Sequence, residues 1–77
     1  MSMAVQNRYT EEQRKYIKHN QRIIEDNIFY GIKYGYTDDE IAEYKASANR
    51  NMKEFKAFLL AGGKPAYDEN TEMYVLQ

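Results

Sequence analysis

Apolar side chains recur at helical spacing in two separate segments of the chain. Between residues 10 and 34, and again between residues 37 and 61, they return every three or four positions and so fall on one face of a helix. The first stripe contains Tyr16, Ile17, Ile23, Ile24, Ile28, Tyr30 and Tyr34. The second stripe contains Ile41, Tyr44, Ala48, Met52, Phe55, Phe58 and Leu59. This pattern predicts two long amphipathic helices.

The ends of both helices carry recognisable signals. Thr10 with Gln13, and Thr37 with Glu40, have the spacing of capping boxes, in which the threonine oxygen accepts a free backbone N–H and the longer side chain reaches back. Gly35 and the pair at 62–63 are typical of helix C-termini. We therefore expect helix 1 at about 10–34 and helix 2 at about 37–61.

The short linker determines how the helices are arranged. Because only residues 35–37 separate them, the helices should be antiparallel neighbours. The predicted fold class is all-α: an antiparallel helical hairpin in a single small domain over residues 1–77, with an extended C-terminal tail at 64–77. Two helices share only a thin core. We therefore expect either the tail or a partner chain to cover Phe29 and Ile32, and a homo-oligomer to complete a helical bundle.

Composition removes several classes of function. There is no cysteine and one histidine, His19, and the carboxylates at the start of helix 2 are explained by capping. We predict no enzymatic activity, no cofactor and no metal. The N-terminus lacks the layout of a secretory signal, and the longest apolar run, residues 58–61, is too short for a bilayer. We expect a soluble, cytoplasmic protein with no membrane contact.

Charge is distributed unevenly although the net charge is only −1. Residues 1–24 carry five basic and two acidic residues, and residues 25–77 carry six basic and ten acidic ones. Four of the cations share the side of helix 1 opposite its apolar stripe, and we call them the cationic face: Arg14, Lys15, Lys18 and Arg22. Such a face binds phosphates, meets an acidic protein surface, or is simply solvated.

The start of helix 2 has a distinctive series of residues: Gly35, Tyr36, Thr37, Glu40, Ile41, Ala42 and Glu43, followed further on by Met52 and Phe55. With these residues it resembles the start of bacterial helix-turn-helix domains of the response-regulator and sigma-factor kind. The resemblance implies a turn and a DNA-reading helix. The family's apolar-Gly-apolar turn is replaced here by residues 45–47, Lys-Ala-Ser, which favour a continuous helix. A degenerate helix-turn-helix is thus the alternative to one unbroken helix.

Four residues within the apolar arc of helix 1 are candidates for self-association. They are Asn20, Ile24, Asn27 and Gly31. Buried amides need partners, so the two asparagines suggest pairing with Asn51 or with a second copy, unless they face water. A glycine inside a helix costs about 1 kcal/mol relative to alanine, which suggests a close approach at this position.

Aromatic side chains crowd the end of the hairpin near the linker. We call this group the aromatic tip: Phe29, Tyr30, Tyr34 and Tyr36. These rings either close the end of the core or form an exposed binding site, since aromatic residues are common anchors in protein interfaces.

The function we expect is that of a small interaction protein, a regulator or inhibitor that occupies a surface of a larger macromolecular partner. Its size and its tyrosine- and asparagine-rich composition are common among phage and mobile-element proteins. The predicted partner-binding residues are the aromatic tip and the cationic face. Two alternatives remain: nucleic-acid binding through the cationic face or a degenerate helix-turn-helix, and a structural oligomer subunit.

Overall fold

The computed structural model describes residues 8–77. In chain order it contains helix α1 (Glu11–Lys33), helix α2 (Asp38–Leu60), and strands β1 (Ala66–Asp68) and β2 (Met73–Val75). The predicted helical hairpin with a short extended tail is confirmed. Residues 1–7, which were predicted to begin the domain, lie outside the described residues.

Both helices begin at the predicted capping boxes. The Thr10 hydroxyl accepts the Gln13 backbone N–H at 3.1 Å, and the Gln13 side chain accepts the Thr10 N–H at 2.9 Å. Thr37 and Glu40 make the same pair of bonds at 3.1 and 2.8 Å. These bonds satisfy N–H groups that the first turn of a helix leaves without partners.

Both helices also end in the same way. Gly35 and Gly62 have φ values of 86° and 90°, a left-handed conformation that glycine adopts without a steric penalty. After α1, the N–H of Tyr36 bonds to the carbonyl of Gly31 at 3.0 Å, and that of Gly35 bonds to Ile32 at 3.2 Å. The corresponding bonds follow α2. Two Schellman motifs therefore stop the helices where the glycines stand.

Helix α2 runs without interruption through residues 45–47. These residues are where a helix-turn-helix domain would place its turn. The helix continues through this stretch because Lys45, Ala46 and Ser47 do not break helical geometry, and alanine has the highest helix propensity. The helix-turn-helix arrangement is therefore not formed, and that alternative was wrong as a description of the fold.

The core lies between the helices at the end away from the linker, which we call the base. It consists of Ile17 from α1 and Phe55 and Leu59 from α2, all buried. The Gln13 side chain crosses between the helices and donates to the carbonyl of Leu59 at 2.8 Å. Five partly buried apolar residues surround this core: Tyr9, Tyr16, Met52, Phe58 and Tyr74. Because Tyr74 comes from the tail, the core needs the tail as well as the helices.

The tail forms an antiparallel β-hairpin in which Tyr67 stands opposite Tyr74. Asp68 organises the connecting turn. Its carbonyl accepts the N–H of Glu72 at 2.7 Å, and its carboxylate accepts the Asn70 N–H and the Thr71 hydroxyl, both at 3.0 Å. These bonds hold Glu72 at a positive φ of 60°, which is unusual for a residue with a side chain.

The β-hairpin packs on α1 through β2. It does not cover Phe29 and Ile32, which remain 62% and 63% exposed. Of the two predicted covers, the tail or a partner chain, the tail is therefore excluded. The tail packs instead around Asn20, near the base, because that side chain binds the backbone of β2.

Candidate functional site

The aromatic tip is exposed and does not close the core. The exposed fractions are 62% for Phe29, 47% for Tyr30, 71% for Tyr34 and 62% for Tyr36. Ile32 lies in the same stretch and is equally open. Large apolar side chains gathered in this way are typical of interaction surfaces, whereas single exposed ones are ordinary.

The rings of the aromatic tip are arranged by helical spacing. Tyr30 and Tyr34, four residues apart on α1, lie nearly parallel at 16° with ring centroids 6.1 Å apart. Phe29 meets Tyr30 edge to face at 5.3 Å. The ammonium of Lys33 lies 6.0 Å from the centroid of the Tyr30 ring, at the outer limit of a cation–π contact.

A groove of about 340 Å³ opens between these rings and the start of α2, and we call it the tip groove. It is lined by Asn27, Tyr30, Gly31, Tyr34, Tyr36, Glu40, Ile41 and Tyr44. Gly31 lets the helices approach here: a Cβ on this glycine would lie only 2.9 Å from Cδ1 of Ile41. Asn27 donates to the Tyr44 hydroxyl at 2.9 Å and links the two helices.

The tip carries negative charge. Residues 29–44 contain four acids, Asp38, Asp39, Glu40 and Glu43, against the single cation Lys33, a net of −3. The first three of these acids lie in the first turn of α2, where they complement the helix dipole. The tip is therefore both aromatic and acidic, although the whole chain is nearly neutral.

The cationic face lies on the exposed side of α1, and all four of its residues are exposed. Arg14 donates to the carbonyl of Tyr9 at 2.6 Å. At helical spacing, Phe29 and Ile32 continue the same side toward the tip. One side of α1 thus passes from cationic near the base, past the acidic Glu25, to apolar near the tip.

The four predicted self-association residues have neighbours within the chain. Asn20 is only 2% exposed, and both ends of its amide bind the backbone of Tyr74. Asn27 is exposed and binds Tyr44, not Asn51. Gly31 is buried where Ile41 approaches α1. Ile24, the last of the four residues, is half-buried and lines a second groove.

The second groove, which we call the side groove, has a volume of about 570 Å³ and lies between α1, α2 and β2. Its apolar lining comes from Ile24, Ala48, Met52, Phe55, Met73, Tyr74, Val75 and Leu76. Asn27, Tyr44, Ser47 and Asn51 add polar groups. The side groove exists because the β-hairpin covers only part of the apolar stripes of the two helices.

The contact between Asn20 and Tyr74 could not have been found from spacing in the sequence. Nδ2 of Asn20 donates to the carbonyl of Tyr74 at 2.9 Å, and Oδ1 accepts the Tyr74 N–H at 2.8 Å. The Asn20 amide therefore pairs with β2 as a residue of a neighbouring strand would. Nε2 of His19 contributes a further contact of 2.7 Å to the carbonyl of Glu72.

Aromatic rings pack around this contact. Tyr74 lies 4.7 Å from Tyr16, 5.2 Å from His19 and 5.3 Å from Tyr67, measured between ring centroids. The hydroxyl of Tyr16 donates to Oε2 of Glu12 at 2.9 Å. This hydrogen bond, followed by desolvation and the charge of Glu12, raises the pKa of Tyr16 above its ordinary value of 10.0.

Two further properties concern only the part of the chain that the structure describes. Within residues 8–77, no group of three or more histidine, aspartate or glutamate side chains is placed to hold a metal ion. Neither of the two helices in this range is long and apolar enough to cross a membrane.

Comparison of the chain with protein families, with characterised proteins and with solved structures finds no match in any of the three.

Proposed function

We propose that this protein is a small interaction protein without catalytic activity, which acts by placing its aromatic tip on a surface of a larger protein. The observation that carries the proposal is the exposure of five large apolar side chains within residues 29–36, at one end of the helical hairpin. Burying such rings is the main source of affinity in many protein interfaces.

The backbone bonds of the linker support the same proposal. A Schellman motif and a capping box lie on either side of Tyr36, the single residue between Gly35 and Thr37. Binding therefore requires little ordering of the backbone, and pre-organisation of this kind favours affinity. A regulator or inhibitor that covers the functional surface of a partner needs no catalytic groups of its own.

Photo-crosslinking tests this proposal. A photoreactive phenylalanine analogue replaces Phe29 at the tip or, as the control, Ala57, which is exposed near the end of α2. In lysate of the source cells, we expect a defined crosslinked partner from position 29 and not from position 57. The double variant Tyr30→Ala/Tyr34→Ala should abolish that crosslink while the circular dichroism spectrum stays unchanged. A crosslink that survives this variant would contradict the role of the tip.

Nucleic-acid binding is the second candidate, and the exposure of all four residues of the cationic face favours it. Each phosphate contact releases counterions, so such binding must weaken steeply with salt. In gel-shift experiments, the variant Lys18→Glu/Arg22→Glu should lose any binding seen at low salt, while Lys53→Glu/Lys56→Glu on α2 is the matched control. No shift at low salt would remove this candidate.

Self-association, either as a homo-oligomer or as a structural subunit, is favoured by the side groove, whose lining includes half-buried Ile24 and exposed Leu76. A second copy would cover this apolar surface. Sedimentation over a range of concentrations tests this point, and Ile24→Glu should shift any oligomer to monomer. A wild-type protein that remains monomeric throughout would exclude self-association.

A further inference from the structure

The tip groove differs from an ordinary apolar cleft in the kind of side chain that lines it. Four of its eight lining residues are tyrosines: Tyr30, Tyr34, Tyr36 and Tyr44. The face of an aromatic ring carries partial negative charge, so several rings around one space attract a cation. A fifth lining residue, Glu40, adds a carboxylate.

The chain itself already places a cation against one of these rings. The Lys33 ammonium lies 6.0 Å from the centroid of Tyr30, the ring that also lines the tip groove and runs nearly parallel to Tyr34. This contact is exposed and lies at the limit of the useful range, so it is weak. A cation seated within the groove would meet more rings than Lys33 does.

The charge of the surroundings favours a basic occupant. The net charge of −3 over residues 29–44 attracts cations and repels phosphate groups. This argues against a nucleic acid or an anionic lipid surface at the tip. The groove is also small, about 340 Å³, and so suits one side chain better than a helix or a strand.

We propose that the tip groove binds an arginine side chain from a basic segment of the partner protein. Arginine fits better than lysine, because its planar guanidinium stacks on aromatic rings and is more weakly hydrated. The Glu40 carboxylate, which also lines the groove, supplies acceptors for the guanidinium donors. This inference rests on the proposed function and specifies the chemistry of its binding surface.

Two short peptides test the proposal. They are identical except that one carries arginine and the other carries citrulline, a neutral side chain of nearly the same shape. We expect the arginine peptide to shift the ring resonances of Tyr30 and Tyr34 in nuclear magnetic resonance spectra, with saturation, and the citrulline peptide to bind about tenfold more weakly. A peptide with lysine at the same position should fall between them. Equal binding of the arginine and citrulline peptides would overturn the proposal.

Substitutions separate the contribution of the rings from that of apolar area. Tyr34→Phe keeps the aromatic face and should bind the arginine peptide as the wild type does. Tyr34→Leu keeps apolar surface without the ring and should bind about threefold to tenfold more weakly. Tyr67→Leu, at an exposed tyrosine of β1 far from the groove, is the matched control and should have no effect. Wild-type affinity in Tyr34→Leu would overturn the proposal.

Replacing Lys33 should raise the affinity for the arginine peptide, whereas replacing Tyr34 with leucine should lower it. Because its ammonium competes for the Tyr30 ring, Lys33→Gln should tighten binding of the arginine peptide about twofold to threefold. Lys53→Gln changes the net charge equally but lies well away on α2, and it should leave the affinity unchanged. A similar gain in both variants would mean that bulk charge alone attracts the peptide, and this would overturn the proposal.

The remaining outcomes are distinguishable. If the crosslink from position 29 depends on Tyr30 and Tyr34 but the arginine peptide does not bind, the tip is a binding surface and the arginine inference fails. If that crosslink leads to the cationic face of a second copy, and Arg14→Gln/Arg22→Gln abolishes it, the occupant is the protein itself, and the assignment to a separate partner fails.

Discussion

Tyrosines stand at both ends of the helical hairpin, but their surroundings differ. At the base, Tyr16 and Tyr74 pack against one another and against the buried core residues. At the tip, Tyr30 and Tyr34 are also neighbours, yet they remain 47% and 71% exposed. Ring stacking occurs at both ends, so contact between aromatic residues does not by itself reveal whether they are structural or available for binding.

The β-hairpin creates this difference. Asn20 holds the backbone of Tyr74 against α1 and thereby brings a third layer over the base. The β-hairpin does not reach the tip, where the N–H groups of the short linker are taken up by helix-capping bonds. We therefore expect substitutions at the base to change stability and substitutions at the tip to change binding. Substitutions at the two ends test this division, from the largest expected effect to the smallest.

The largest effect is expected for Asn20→Ala. This change removes two hydrogen bonds and leaves the N–H and carbonyl of Tyr74 unpaired in a partly buried position. The free energy of unfolding should fall by about 2–3 kcal/mol, as measured by urea denaturation. Asn49→Ala, at an exposed position of α2, is the control and should change it by less than about 0.5 kcal/mol. Equal losses of unfolding free energy in Asn20→Ala and Asn49→Ala would show that Asn20 does not hold the β-hairpin.

A direct comparison of the two ends comes from Tyr74→Ala and Tyr34→Ala. Tyr74 packs on the core and on three other rings, so its loss should cost about 2 kcal/mol of unfolding free energy. Tyr34 is mostly exposed, and its loss should cost less than about 0.5 kcal/mol. Thermal and urea denaturation of both variants provide the measurement. A large loss of stability in Tyr34→Ala would place the tip in the core after all.

Substitutions at Gly35 test whether the stability of the chain depends on the backbone conformation of the linker. Gly35→Ala should lower the unfolding free energy by about 1 kcal/mol, because alanine is strained at a φ of 86°. The new Cβ would meet no atom within 4 Å. The cost is therefore conformational and not steric. Gly35→Asn should cost less, since asparagine tolerates the left-handed region better than alanine. If Asn is as costly as Ala at this position, the explanation from φ is wrong.

The smallest effect concerns the ionisation of Tyr16. Glu12→Gln should move the pKa of Tyr16 down toward 10.0, because the variant removes both the carboxylate acceptor and its charge. Glu11→Gln is the matched control and should leave the pKa of Tyr16 nearly unchanged. Nuclear magnetic resonance of labelled tyrosine rings gives the titration. A pKa of Tyr16 that is the same in both variants would exclude the hydrogen bond as the cause.

The same pKa shift has a consequence for stability at high pH. Because the pKa of Tyr16 is higher in the folded chain than its ordinary value, the folded state holds the proton more tightly than the unfolded state. The stabilising contribution of Tyr16 is therefore complete below about pH 10 and is lost as the pH rises through the pKa of the folded state. The variant Glu12→Gln should show a smaller loss over that range.

Local signals in the sequence accounted for the helices. The capping boxes at Thr10 and Thr37 and the glycines at 35 and 62 act over a few residues, so the bounds of α1 and α2 could be predicted without knowledge of the rest. The aromatic tip could also be proposed from sequence, because the linker places residues 29–36 at one end. The sequence could not predict whether these rings are exposed, because rings at that position could equally have closed the core.

The position of the tail was decided only by the tertiary structure. Residues 66–75 fold into two three-residue strands, and a pair of strands this short is marginal without support. That support comes from Asn20, more than fifty positions away in sequence. Periodicity identified Asn20 as a polar residue in an apolar stripe, but it could not show whether the partner was another asparagine, a second copy or the tail.

The sequence by itself therefore determined where the helices begin, end and reverse, because capping and chain-reversal energies depend on neighbouring residues. The tertiary structure decided which apolar and polar positions would be covered, because burial depends on contacts between residues far apart in the chain. Asn20 is satisfied and buried for that reason, and the tip tyrosines are left exposed.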